Sequence, residues 1–382
     1  GEIKELCDHC LGRLFASLGH GLTNEERGKA IRVIYAMDHD LNISDLYPDK
    51  CELCNNIFDK IEHFADIVIK AIEGYEFNTF LIGTRNSREI VERDRIMLEK
   101  YGNRGEDIGN ELSREIGKAV YKRIGKDVSF NDPDITIVVD TEYEYAEVLP
   151  KPIFIYGRYR KLERGIPQTR WIHGEGKSVE EYIGDVANSY FLGEKYYLHG
   201  AGREDVDVLM LGNGRPFVLE IKSPRKRNID LSMLQEEINR SCSGKVEVLD
   251  LKYVKRDMVK KIKSMESRKV YMLRIELERE MNFEDLENRL KQLEGKVIYQ
   301  RTPWRERHRR PDRVREKRIH SIRLVSLDGR HAEIEIISDA GTYIKELAHG
   351  DNGRTRPSIS EMLDQKIKIE RLDVVKILDR ED

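Results

Sequence analysis

Charged side chains crowd the stretch Gly200-Ala201-Gly202-Arg203-Glu204-Asp205-Val206-Asp207, and Glu220-Ile221-Lys222 follows across Gly212-Asn213-Gly214-Arg215-Pro216. Two chemistries compete for it. Asp207, then Glu220 and Lys222, make an acid followed by Glu-x-Lys, an order that suits carboxylates around Mg²⁺ in a nuclease. Arg203-x-Asp205 instead offers a single carboxylate in a glycine-bounded turn, with no need of a metal. Strand alternation puts Asp205 and Asp207 on the same face, and Gly212–Pro216 reads as a hairpin turn under either reading. Further along, Lys269-Val270-Tyr271 opens an expected strand, and Gly341-Thr342-Tyr343-Ile344-Lys345 opens an expected helix after a strand. A nucleophilic carboxylate needs a charged partner and a group to position its substrate, and these two stretches carry candidates for both.

Two further groups bind rather than react. Cys7-x-x-Cys10 and Cys51-x-x-Cys54 supply four soft thiolates, which suit one tetrahedral zinc with no position left open, hence a structural ion. A redox pair is the lesser alternative, and Cys242 reads as a buried free thiol. Gln300 to Arg318 concentrates Arg301, Arg305, Arg307, Arg309, Arg310, Arg313, Arg315, Lys317 and Arg318 around Trp304. Guanidinium forks fit phosphate oxygens and an indole stacks on a base, so Arg301, Trp304, Arg305, Arg309, Arg310 and Arg313 are the expected RNA contacts. Ser223–Arg227 is a smaller basic cluster.

The elements that must hold these groups emerge from pattern. The 382 residues are 39% hydrophobic and 36% charged, enough for two or three domains. No apolar run approaches the roughly 18–20 residues of a membrane span, and the charged start lacks a signal-peptide core, so a cytoplasmic protein is expected. A formal charge of −3 leaves nucleic-acid binding to local patches. Residues 1–60 read as a zinc-binding lobe, with a capping box at Thr23–Glu26 and Ala30, Ile31, Val33, Ile34 and Met37 as the apolar side of a helix. A second helix starts near Asn55 and stops at Gly74. Residues 61–160 read as an α+β region, with strands at 77–82 and 133–140 and a helix at 106–123. Together 1–160 make one accessory domain. A shift to Pro, Gly, Tyr and Arg over 151–170 marks the boundary, and 165–382 form the larger domain. Its strands are expected at 246–254, 270–277, 297–301, 319–326 and 331–338, the last two joined at Asp328-Gly329, and its helices near 230–241, 256–265, 283–293 and 342–349. Short turns between strands predict an α+β fold with a mixed, mainly antiparallel sheet.

Arg203-x-Asp205, Lys269-x-Tyr271 and Gly341-Thr342-Tyr343-Ile344-Lys345, in that order, resemble the three active-site motifs of pseudouridine synthases. The runs from Gly202 to Ile221, Gln300 to Arg315 and Ala340 to Ile359 resemble the tenth family of those enzymes, shared by archaea and eukaryotes. The N-terminal cysteine opening fits that family, and 61–160, chiefly Ser113–Asp140, resembles a THUMP RNA-binding region more loosely. The resemblance implies isomerisation of uridine to pseudouridine in the T-loop of tRNA, at positions 54 and 55, on a base flipped from its stack. It implies Asp205 as the essential acid, Tyr271 stacking on the base, Lys345 as the cation paired to Asp205, and Arg203 in the vacated space or on a phosphate. Whether Asp205 first attacks the sugar or abstracts its proton stays open. No group is gained or lost, so no organic cofactor or small cosubstrate is implied, and a monomer is the default. Glu306 departs from the family pattern by placing an acid in the basic run, which would weaken one phosphate contact. Two rival readings stand beside this one. The nuclease built on Asp207, Glu220 and Lys222 leaves Gly341–Lys345 unexplained. A non-enzymatic zinc-containing RNA-binding module leaves Asp205, Tyr271 and Lys345 unused.

Overall fold

A computed structural model describes residues 1–102 and 104–379. It divides the chain into two compact units, Gly1–Lys151 with Ser223–Arg227, and Pro152–Lys222 with Asn228 onward.

The first unit opens with α1 (Asp8–Arg13) and α2 (Asn24–Asp38). The Thr23–Glu26 capping box is present in both directions. The buried side of α2 is not the expected one. Asn24, Gly28, Arg32 and Ala36 face inward, whereas Ile34 and Met37 are 67% and 78% exposed. The reason is backbone proximity: a Cβ at Gly28 would lie 1.9 Å from the Asp8 carbonyl oxygen, and one at Gly12 1.7 Å from that of Asn24. Small residues, not apolar ones, select this face. Arg32 is fully buried there and donates to the carbonyls of Ile3, Leu6 and Leu46 and to Asp8.

Next in the chain are α3 (Ile61–Ala71), β1 (Thr79–Arg85), α4 (Arg88–Lys100), α5 (Ile108–Ile124), β2 (Asp127–Val128), β3 (Ile135–Asp140) and β4 (Tyr145–Pro150). The sheet order is β2-β1-β3-β4, with β4 antiparallel and the others parallel. Gly125, at φ +65°, ends α5 as its sequence predicts. Leu6, Leu11 and Leu14 pack in one core with Phe64, Val68, Phe80, Leu112, Ile116 and Ile137, so the lobe of residues 1–60 has no separate core of its own.

The second unit contains β5 (Ile153–Lys161), α6 (Val179–Phe191), β6 (Lys195–Gly200), β7 (Leu209–Lys222), α7 (Leu231–Ser241), β8 (Val246–Val254) and α8 (Asp257–Lys263). It continues with β9 (Arg268–Leu277), α9 (Phe283–Lys291), β10 (Val297–Arg301), β11 (Val314–Asp328) and β12 (His331–Ser338). Last come α10 (Ile344–His349), β13 (Thr355–Arg356), α11 (Ile359–Leu363) and β14 (Ile367–Leu378). Ten strands form one sheet in the order β13-β10-β11-β12-β9-β14-β7-β5-β8, with β6 on β7. Its neighbours are antiparallel except β14 and β7. The mixed, mainly antiparallel α+β fold is thus present.

Composition places a boundary across 151–170, and the two units part at Lys151 and Pro152, so that Ile153–Lys161 is already an interior strand of the large sheet. One local reading changes. Gly212–Pro216 is not a hairpin turn, because β7 runs through it. Gly212 and Gly214 take φ of +65° and +78° and bend the strand as bulges do. Before them β7 pairs in parallel with β14; after them it lies between β5 and β6.

Candidate active site and cysteine cluster

The turn Ala201–Val208, between β6 and β7, is not a strand, so alternation does not govern Asp205 and Asp207. A buried polar network fixes it from beneath. The Glu204 carboxylate accepts from the Tyr159 hydroxyl at 2.9 Å and from Arg215 Nε at 2.8 Å, and lies 3.5 Å from Lys161 Nζ. Lys161 Nζ donates to the carbonyls of Ile166 and Asp205 at 2.8 and 3.0 Å, and Arg215 Nη1 to that of Ala201 at 2.9 Å. Gln168 Nε2 donates to the Gly202 carbonyl at 2.8 Å. Burial pushes the Tyr159 hydroxyl well above its ordinary range, so it remains a donor. These buried charges are mutually paired and hydrogen-bonded, the condition under which they are tolerated.

With its backbone held, Asp205 turns its side chain to a cavity of about 280 Å³ that is also lined by Arg203, Tyr271, Arg305, Arg310 and Tyr343–Lys345. Two cations meet its Oδ2: Arg305 Nη1 at 2.9 Å and Lys345 Nζ at 3.2 Å. Arg305 is oriented from behind by Glu346, whose buried carboxylate takes Nε at 2.6 Å and Nη2 at 3.4 Å. Lys345 also donates to both oxygens of Asp207, at 2.7 and 2.9 Å. Partial burial opposes ionisation of Asp207, but the bond and charge of Lys345 outweigh it and hold its carboxyl below the usual range. Tyr271 sits mid-sheet on β9, opposite Ile336 and Val374, and burial pushes its hydroxyl up to about 12. Buried Gln300 sets the start of α10: its side chain accepts from the Tyr343 amide at 3.0 Å and donates to the Tyr343 carbonyl at 2.9 Å.

The structure therefore brings Asp205, Tyr271 and Lys345 into one cavity, with Arg203 and Arg310 on its wall. Arg305 is the principal surprise: expected at a phosphate, it stands on Asp205 and is the nearer of its two cations. Arg310 donates to the Tyr343 hydroxyl at 3.1 Å. Arg309 lines an adjoining depression with Gln168, Arg170 and Trp171, residues that the sequence pattern does not mark. Arg301 pairs with exposed Asp312 through three hydrogen bonds, and Arg313 is exposed. Trp304 is 56% exposed, with the Arg307 guanidinium 3.3 Å from its ring centroid. Glu306, expected to disturb a phosphate contact, is turned inward 3.7 Å from Arg203.

The nuclease set is not assembled. Asp207 is held by Lys345 ahead of β7, whereas Glu220 lies near the far end of that strand, 3.8 Å from His199, and Lys222 sits over the Tyr197 ring. At ~3.3 Å per residue, even a bent strand keeps these groups too far apart for one ion. Among the described residues, the group of His, Cys, Asp or Glu side chains close enough to share a metal is Cys7, Cys10, Cys51 and Cys54.

These four sulfurs lie within 4.8 Å of one another. Cys7 precedes α1, Cys10 lies in it, and Cys51–Cys54 form a turn that is fixed where the Cys51 amide donates to Asn56 Oδ1 at 2.8 Å. A tetrahedron with metal–sulfur bonds of about 2.3 Å has edges of about 3.8 Å, and Cys7 Sγ to Cys54 Sγ is 3.8 Å. The residues present fit a closed tetrahedral metal ion. Arg13 Nη1 adds a buried positive charge 3.5 Å from Cys10 Sγ, beside what would be an anionic centre.

Known proteins resemble the chain over nearly its whole length. The family model "Pus10, C-terminal" matches residues 154–378, and "Pus10 THUMP domain, archaeal" matches 64–140. The chain is 43% identical over 379 residues to the tRNA pseudouridine synthase Pus10 of Thermoplasma acidophilum, covering 99% of this chain and 97% of that one. It is equally identical over 379 residues to the Pus10 of Pyrococcus furiosus, covering 99% and 96%. A chain in the crystal structure of a Cbf5–Nop10–Gar1 complex aligns with 58% of this chain and 48% of its own length, at 17% identity and a TM-score of 0.36.

Proposed function

The chain belongs to the Pus10 family of pseudouridine synthases, and from that premise we propose that it isomerises uridines 54 and 55 in the T-loop of tRNA, with Asp205 as its essential group. The observation that carries this reading is Asp205 clamped between Arg305 and Lys345 at a cavity that also holds Tyr271. The relatives' names supply tRNA as the substrate. A uridine stacked in RNA cannot reach the cavity, so the base is flipped out and received there. The two cations hold the Asp205 carboxylate between them and aim it at the ribose. Tyr271 remains neutral and offers the uracil a ring face and a hydroxyl. Arg203 fills the space the base leaves or grips a phosphate, and Arg301, Trp304, Arg309, Arg310 and Arg313 hold the RNA around the site. Isomerisation gains and loses no group, so the chain works without organic cofactor or cosubstrate, as a cytoplasmic monomer. The Cys7/Cys10/Cys51/Cys54 cluster takes one zinc ion, whose part is to staple the N-terminal lobe and not to catalyse.

Tritium release from tRNA transcript labelled at uridine C5 tests the reaction, and mass spectrometry of the treated tRNA maps the product. Asp205→Ala is expected to abolish release while tRNA affinity stays within a few-fold. Full activity in that variant would remove Asp205 from its role, and pseudouridine mapped outside positions 54 and 55 would overturn the T-loop assignment.

A further inference from the structure

The cavity is bordered by six basic residues, Arg203, Arg215, Lys269, Arg305, Arg310 and Lys345. Their engagements differ. Arg305 and Lys345 hold Asp205, and Arg215 is spent on Glu204 and the Ala201 carbonyl. Arg203 and Arg310 stand at the exposed rim, near Glu306 and the Tyr343 hydroxyl. Lys269 is 9% exposed, and its ammonium donates to a single carbonyl, that of Ser267, at 3.2 Å. Among the described residues no carboxylate comes within ion-pair distance of it. An ammonium has three donors, so Lys269 retains donors for a ligand. It lies two residues from Tyr271 on the same face of β9, beside the expected seat of the base and away from the rim.

We propose that Lys269 is a catalytic residue that hydrogen-bonds a carbonyl oxygen of the flipped uracil and stabilises the negative charge of the base while it is detached from the ribose. The proposal rests on the proposed roles of Asp205 and Tyr271. Either opening act of Asp205, attack at C1′ or removal of the 2′ proton, sends the C1′–N1 bonding pair to the base. The charge spreads over N1 and the two carbonyl oxygens. When C5 bonds to C1′ the Asp205–C1′ bond breaks or, after proton removal, the 2′ proton returns to C2′; the C5 proton passes to water and N1 takes one up, so nothing is oxidised or reduced. Lys269 keeps its proton throughout. A donor fixed where charge develops acts on the transition state and not on binding. A phosphate is a poorer occupant, because the exposed arginines at the rim meet the backbone first.

Lys269 also brings a pH signature. Burial, then Arg215 and Lys317, push its ammonium down to about 8, against an opposing pull from Asp379, which Arg158 already engages at 2.7 Å. The Tyr271 hydroxyl, raised to about 12 by burial, does not titrate in that window. The charged form of Lys269 is therefore present below pH 8 and lost above it.

The test measures single-turnover tritium release, with enzyme saturating over labelled tRNA, for wild type, Lys269→Met and Lys269→Arg. At pH 7, Lys269→Met is expected to be slower by about 100-fold, with the tRNA dissociation constant within about threefold. Lys269→Arg is expected to stay within about tenfold of wild type. The wild-type rate should fall from about pH 7.5 to about 9.5, while that of Lys269→Arg stays level. Wild-type speed in Lys269→Met, a loss seen only as weakened binding, or coincident pH profiles for wild type and Lys269→Arg would each overturn the proposal. Should Lys269→Met not fold, the two remaining profiles decide. Failure of the isomerase reading itself would look different, with no tritium released by the wild type.

Discussion

Arg13 and Arg32 in the first unit, like Arg158 and Arg215 in the second, are almost wholly inaccessible to solvent, yet their surroundings differ in one respect. In the first unit both charges are paired with acids or carbonyls, although Arg13 Nε has no hydrogen-bond partner. Arg13 meets Asp94 at 2.6 Å and Glu111 at 3.3 Å, and Arg32 is ringed by carbonyls and Asp8. The four thiols beside Arg13 make a complete shell for one ion. In the second unit the closed network of Tyr159, Lys161, Glu204 and Arg215 sits directly under an open one, in which Asp205 and Lys269 face a cavity. Burial alone does not separate the two networks; what separates them is that the second borders a cavity.

The largest expected effect falls on the closed side. Cys51→Ser removes one of the four proposed zinc ligands, and zinc binding in small domains carries on the order of 10 kcal/mol of folding free energy. The first unit should then become protease-sensitive at temperatures where the wild type resists, and a chelator should reproduce this. Resistance unchanged in both would show that the cluster needs no metal. Next is Arg13→Met, which strands buried Asp94 and Glu111. A loss of about 3–5 kcal/mol is expected from urea unfolding, with the single-turnover rate unaltered wherever the chain is folded. A matching loss of rate would break the contrast between the units. The smallest effect on folding belongs to Arg305→Lys. An ammonium cannot bridge Glu346 and Asp205 as a fork does, so about a 100-fold loss of rate is expected. Stability should shift by less than about 1 kcal/mol, since Arg305 is only partly buried. Equal activity of the lysine variant would return Arg305 to the RNA-binding set.

Much of this was legible before the fold was known, where a rule of local chemistry applied. Asp328-Gly329 marked its hairpin and Thr23 and Glu26 their helix start, whereas Asp205, Tyr271 and Lys345 were grouped only through the resemblance of their motifs to those of pseudouridine synthases. What escaped has a shared cause. The strand Ile153–Lys161 buries Arg158, Tyr159 and Lys161 through polar pairing, so the hydrophobic alternation that announces a strand is erased there. The inward face of α2 is chosen by Gly28 and a buried arginine rather than by its isoleucines. Arg305 carries the same letter as the surface arginines around it. Only the fold, by setting Glu346 behind it, distinguishes it from them.

Lys345 and Glu346 are neighbours in the chain, yet one attracts Asp205 directly and the other does so through Arg305. This makes the site intolerant of slippage. Loss of Ile344 would rotate α10 by about 100° and bring the Glu346 carboxylate toward the place of the Lys345 ammonium, turning attraction into repulsion. The clasp of Gln300 on both backbone groups of Tyr343 prevents that rotation. Gln300 touches none of the reacting groups, but it works as the index pin of a dial, and the sign of the charge presented to Asp205 depends on where it stops.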